Sequence, residues 1–149
     1  MKKLCVAFLL LATASFVHAS DLGFSLVAGL GTDQSFSFNP IILTGTGEFQ
    51  FKLGGILMFC PEATVLTTTK FKDFILIPAV CLNVTPGPLY FGGGIAKAFV
   101  LGDTYSSDFM LKLNAGFRAG GIRIGAYMLT SLKTPFDYAF YGFQIGFDI

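Results

Sequence analysis

Apolar and polar residues alternate with a period of two along most of the chain beyond residue 20. Leu22, Phe24, Leu26, Ala28 and Leu30 share one face of the segment 21–31. Leu43, Phe49 and Phe51 alternate with Thr44, Thr46, Glu48, Gln50 and Lys52. Phe109, Leu111, Leu113, Ala115 and Phe117 alternate with Met110, Lys112, Asn114, Gly116 and Arg118. Successive strand side chains point to opposite sides, so each segment has one apolar face and one small or polar face. Clusters of Gly, Pro, Ser and Asp divide the chain into about eight strands: 21–31, 41–52, 56–66, 73–84, 89–101, 108–118, 122–131 and 138–149. The third puts Leu57, Phe59, Pro61, Ala63 and Val65 on its apolar face, whereas glycines leave the faces of the fifth unassigned.

The connections sharpen this picture. They span 32–40, 53–55, 67–72, 85–88, 102–107, 119–121 and 132–137, so longer links alternate with short ones. The longer ones hold Asp33, Lys70, Lys72, Asp103, Lys133 and Asp137, and the short ones hold no charge. Long loops at one end and tight turns at the other are the anatomy of an outer-membrane barrel. A spanning helix is the poorer reading. The charge-free stretch 74–96 contains Pro78, Pro86, Pro88 and Gly92-Gly93-Gly94, and a proline inside a helix costs about 3 kcal/mol.

Composition agrees. The 149 residues are 53% hydrophobic and 13% charged, with 18 Phe, 5 Tyr and no Trp. Disordered chains are polar and poor in aromatics, and a formal charge of +1 gives no basic surface for nucleic acid. Lys2 and Lys3 precede the apolar run from Leu4 to Leu11, and Val17-His18-Ala19 resembles a cleavage site. Residues 1–19 therefore read as a secretory signal peptide, with a barrel domain over 20–149. Cleavage would remove the single histidine, His18, and leave Cys60 and Cys81 in an oxidising compartment.

Alternation alone fits both a membrane barrel and a soluble, lipocalin-like binding barrel. A water-facing exterior wants roughly 25–35% charged residues, and the polar face here is mostly Gly, Ala, Ser, Thr, Asn and Cys. Small side chains suit the crowded interior of an eight-stranded barrel, which leaves Phe, Leu and Ile for lipid. The expected fold is all-β: an eight-stranded antiparallel up-and-down transmembrane barrel. The final strand carries Tyr141, Phe143, Ile145, Phe147 and Ile149 on one face. On that alternating aromatic end, and on the pattern of the whole segment 20–149, the chain resembles the small outer-membrane barrels of the OmpX/OmpA type. The resemblance implies that those five residues form the signal read by the barrel-assembly machinery, although the usual terminal residue is Phe and here it is Ile149. It also implies a non-enzymatic monomer in outer-membrane lipid, with both ends on the periplasmic side.

Catalytic chemistry has little to work with. Without histidine the exported chain lacks the usual general base and the commonest metal ligand, and Gly92-Gly93-Gly94 lacks the spacing and lysine of a phosphate loop. No cofactor is expected. Glu48, Glu62, Lys112, Arg118, Arg123 and Asp148 fall on the small or polar face. They read either as an ion-selective pore or as a network that fills the lumen. Cys60 and Cys81 lie on neighbouring strands at nearly opposite positions and are expected to form a disulfide, the other reading being two lumen-filling thiols. Phe36, Phe38, Phe71, Tyr105 and Phe136 lie in the longer loops, as surface contacts or as anchors in the headgroup zone. The functional expectation is membrane integrity or surface interaction, with a narrow channel for ions or small apolar molecules as the alternative.

Overall fold

The computed structural model describes residues 22–33, 35–36, 41–71, 73–103, 105–135 and 139–149. The segment read as a signal peptide, Phe38 and Phe136 lie outside the described residues. The alternating segments form β1 (Leu22–Asp33), β2 (Ile42–Gly54), β3 (Leu57–Thr68), β4 (Phe74–Val84), β5 (Leu89–Val100), β6 (Ser106–Ala119), β7 (Ile122–Ser131) and β8 (Ala139–Asp148). Each strand pairs antiparallel with its sequence neighbours, and β8 returns to β1 to close the barrel. The seam runs from Ser25↔Asp148 to Asp33↔Phe140. Beyond it, Ile149 N–H donates to the Phe24 carbonyl at 2.7 Å. Closure removes the open edge at which a sheet would otherwise recruit another chain.

Several strands outrun the breaker residues that seemed to end them. Asp33 pairs with Phe140, Thr68 with Ile42, and Ser106 with Phe99. A backbone group that finds a partner on the next strand has no reason to leave the ladder. At the opposite end the hairpins are tighter than expected. Ala119 pairs with Ile122, so the β6–β7 turn is only Gly120-Gly121. Their φ values of 58° and 80° are those of a two-residue type I′ turn, which glycine adopts without penalty.

The two faces are sorted in the reverse of a soluble protein. Glu48 and Arg123 are each 1% exposed in the interior, while Phe147 is 62% exposed on the outside. Register divides the outer face into bands. Phe24, Phe49, Phe51, Phe59, Phe91, Phe117 and Phe147 ring the turn end, where Phe24 and Phe49 pack at 5.1 Å between centroids. Phe74, Phe99, Phe109 and Tyr141 lie toward the loop end. Aliphatic residues such as Leu26, Val80, Ile95, Leu113 and Ile145 fill the middle. Two aromatic girdles around an apolar band match a bilayer's two interfaces and hydrocarbon core. Water would find almost no charge on this wall.

The faces of β5 are now assigned. Tyr90, Gly92, Gly94, Ala96 and Ala98 point inward, and Leu89, Phe91, Ile95 and Phe99 outward. Lys97 shares the outer face, with its Nζ 5.4 Å from the centroids of both Phe99 and Phe109. In a bilayer, a long stem would let that ammonium reach the interface while its methylenes stay on apolar surface. Tyr90 needs room to cross the lumen, and Gly116 and Gly125 provide it. A Cβ at Gly116 would strike the Ile124 carbonyl and sit 2.6 Å from the Tyr90 ring. Gly116→Ala should destabilise the refolded barrel by about 1–3 kcal/mol, the usual cost of overpacking. Gly45, which has open space around it, is the control. Urea titration in lipid vesicles, followed by heat-modifiable gel migration, should show Gly45→Ala unchanged or slightly stabilised.

Candidate functional site

Inward alternation delivers six charged side chains to the lumen between the turn end and mid-height. Glu48 on β2 and Glu62 on β3 are direct cross-strand partners. Two buried carboxylates side by side repel strongly unless cations face them. The cations come from the far wall. Lys112 on β6 pairs with Glu62. Glu48 Oε1 accepts from Arg123 Nη1 on β7 at 2.6 Å and from Arg118 Nη2 on β6 at 3.3 Å. Arg118 Nε also lies 3.6 Å from Asp148 Oδ2, and Asp148 accepts from Ser25. Three carboxylates therefore meet three cations, and the cluster is formally neutral.

Residues that the sequence reading passed over complete the site. Gln50 Nε2 donates to Glu48 at 3.0 Å and to Asp148 at 3.2 Å, while its Oε1 accepts from Arg118 at 3.2 Å. Arg118 and Arg123 are register partners, two like charges placed together. Both stack on Tyr90, with guanidinium carbons 4.9 Å and 4.4 Å from the ring centroid. Gln144 holds the Tyr90 hydroxyl at 3.2 Å. Lys112 sits 4.8 Å from the Tyr127 ring, so an aromatic side chain covers the ion pair from the loop side. The signal for Gln50 was its place on the polar face of strand 41–52; the signal for Tyr90 was hidden by the glycines of β5.

Cys60 and Cys81 are direct register partners, and both are buried. Both are free thiols, so the expected disulfide is not formed in this structure. Directly opposed residues place their Cβ atoms ~4.5–5.5 Å apart, wider than the ~3.8 Å typical of a bridge. The sulfurs instead meet polar neighbours: Asn83 Nδ2 donates to Cys60 at 3.3 Å, and Cys81 lies 4.0 Å from Glu62 Oε1. Among the described residues, no group of three or more His, Cys, Asp or Glu is placed to hold a metal ion.

The other site residues stand apart from this cluster. Phe143, Ile145, Phe147 and Ile149 are exposed on the outer wall, and Tyr141 is half-buried. Phe36 stacks on Tyr141 at 5.2 Å, which joins that loop aromatic to the outer girdle. Phe36 and Phe71 have φ of 52° and 50°, a backbone region that bulky residues avoid. Each is exposed and closes a turn, donating its N–H to Asp33 and Thr68 respectively. Tyr105 is exposed at the mouth of the lumen.

The sequence matches no protein-family model and no curated protein. Solved structures match the fold. A de novo designed transmembrane β-barrel superposes with a TM-score of 0.60 at 8% identity, over 85% of this chain and 95% of the design. A second design, TMB2.3, gives 0.58 at 10% identity over 89% and 98%. The N-terminal β-barrel domain of Pseudomonas aeruginosa OprF gives 0.54 at 12% identity over 85% and 97%. The chain is thus an eight-stranded antiparallel barrel similar in fold to an outer-membrane barrel and to designed transmembrane barrels.

The lumen cluster makes a quantitative prediction. Arg123 is the most deeply buried cation, so Arg123→Met leaves Glu48 short of its nearest partner. Loss of one member of a buried pair costs about 3–5 kcal/mol. Arg118→Met should cost less, because Arg118 keeps partial solvent access and Glu48 retains Arg123. Urea midpoints in lipid vesicles should follow that order. Equal midpoints for wild type and Arg123→Met would show that the cluster does not brace the barrel.

Proposed function

We propose that the protein is an exported, monomeric outer-membrane barrel that does not conduct ions and serves membrane integrity. The observation that carries this reading is the inverted sorting of side chains, with charge inside and large apolar groups outside. A wall of that kind is insoluble as a monomer in water and at rest in lipid. The fold likeness to the OprF barrel supports the same placement. Its partners on this reading are outer-membrane lipid and, during biogenesis, the assembly machinery that reads the β8 face from Tyr141 to Ile149.

The lumen chemistry supports closure over conduction. A selective pore needs an excess of one charge along an open path. Here opposite charges neutralise one another across a lumen whose strand number leaves just enough room for side chains. The loop aromatics also favour anchoring over recognition, since Phe36 packs against the girdle residue Tyr141.

Cell fractionation and planar-bilayer recording test the two halves of this reading. The intact protein should sediment with outer membranes, and the purified barrel should give no steady unitary steps. Recovery in the aqueous periplasmic fraction would remove the placement. Steady conductance abolished by Glu48→Ala or Arg118→Ala would instead establish the channel.

A further inference from the structure

The loop half of the lumen is unlike the turn half. Six inward positions there are apolar: Leu66, Ile75, Ile77, Met110, Leu129 and Phe140. They surround a cavity of about 620 Å³ that opens at the loop end. Sites that hold small molecules have volumes of roughly 300–1,000 Å³ and mainly apolar linings with a few polar groups. Tyr127, Ala79 and Ala96 pack beneath, above the Lys112–Glu62 pair. The space is a cup with a floor. It is no conduit.

We infer that this cup is a binding site for a small, single-chain apolar molecule whose polar end carries no negative charge. The depth of the cup fixes the apolar part, because Ile77 and Leu129 are buried and offer no partner to a polar group. The rim fixes the polar end. It carries Asp33, Asp108, Ser107, Ser131 and Tyr105. Asp108 already binds Lys133 at 2.9 Å, so the nearby ammonium is engaged. A hydroxyl end finds hydroxyl and carboxylate partners there, whereas a carboxylate end meets like charge. The inference goes beyond the membrane-integrity role and does not depend on it: a folded, non-conducting barrel with an empty-running cup would refute only the ligand.

Decan-1-ol and decanoate are the probes, added to the full barrel in nanodiscs of deuterated lipid with labelled Ile, Leu and Met methyls. Decan-1-ol should give saturable shifts and intermolecular NOEs at Ile77, Leu129 and Met110. Decanoate should bind weaker by on the order of tenfold, equivalent to ~1.4 kcal/mol. That discrimination should shrink in the Asp33→Asn/Asp108→Asn variant. Ala98→Phe should fill the cup and abolish the NOEs while the lipid-facing methyls of Ile95 and Ile145 keep their spectra. Ala139→Phe provides the same block from β8 if the first variant does not fold. NOEs confined to Ile95 and Ile145, or decanol binding that survives either filled variant, would overturn the site. Equal affinity for decanoate would overturn the ligand class.

Discussion

An eight-stranded barrel closes around a space that side chains can just fill or that can hold one small molecule. Glu48 is where this chain meets that constraint. Its Oε1 gathers Arg123, Arg118 and Gln50 from the lumen walls, and so ties β2 to β6 and β7 across the interior. Neither β6 nor β7 is a hydrogen-bonded neighbour of β2. The rest of the architecture follows from putting charge there. Once the carboxylates and cations occupy the inside of the turn half, the bulky Phe, Leu and Ile at the alternate positions of those stretches face outward. Small residues at Gly116 and Gly125 are then required because Tyr90 must lie under two guanidinium groups.

The cluster also divides the lumen. Below Tyr127 the interior is polar, formally neutral and braced across the barrel; above it the lining is mainly apolar, with polar groups at the rim. This division gives one barrel two kinds of interior without any change in its strand ladder. Residues at the open end can therefore vary without touching the ion pairs beneath.

Much of this was legible in the sequence, for a specific reason. Period-two alternation is set by backbone geometry, so Leu22 to Leu30 and Phe109 to Phe117 declared their faces directly. Hairpin geometry placed Cys60 nearly opposite Cys81, and the structure makes them direct register partners. What sequence could not supply was the end of each ladder, because Thr68 and Asp33 are held by neighbours distant along the chain. Nor did opposed register amount to a disulfide, which needs a closer Cβ approach than a flat pair gives. The cup was missed because the interior was read as uniformly small and polar. Leu66, Ile75, Ile77, Met110, Leu129 and Phe140 all share the inward parity, yet each looks in isolation like one more apolar residue of an apolar strand.

The most direct measurement asks whether the apolar outer face meets lipid while the charged face is enclosed. The chain contains no tryptophan, so one introduced indole reports on one position. Ile95→Trp and Ile145→Trp place it in the aliphatic band of the outer wall, on β5 and β8. In vesicles whose acyl chains are brominated near their middle, both should emit in the blue and be strongly quenched. Red-shifted emission that is indifferent to bromine, but quenched by iodide in the water, would contradict the account.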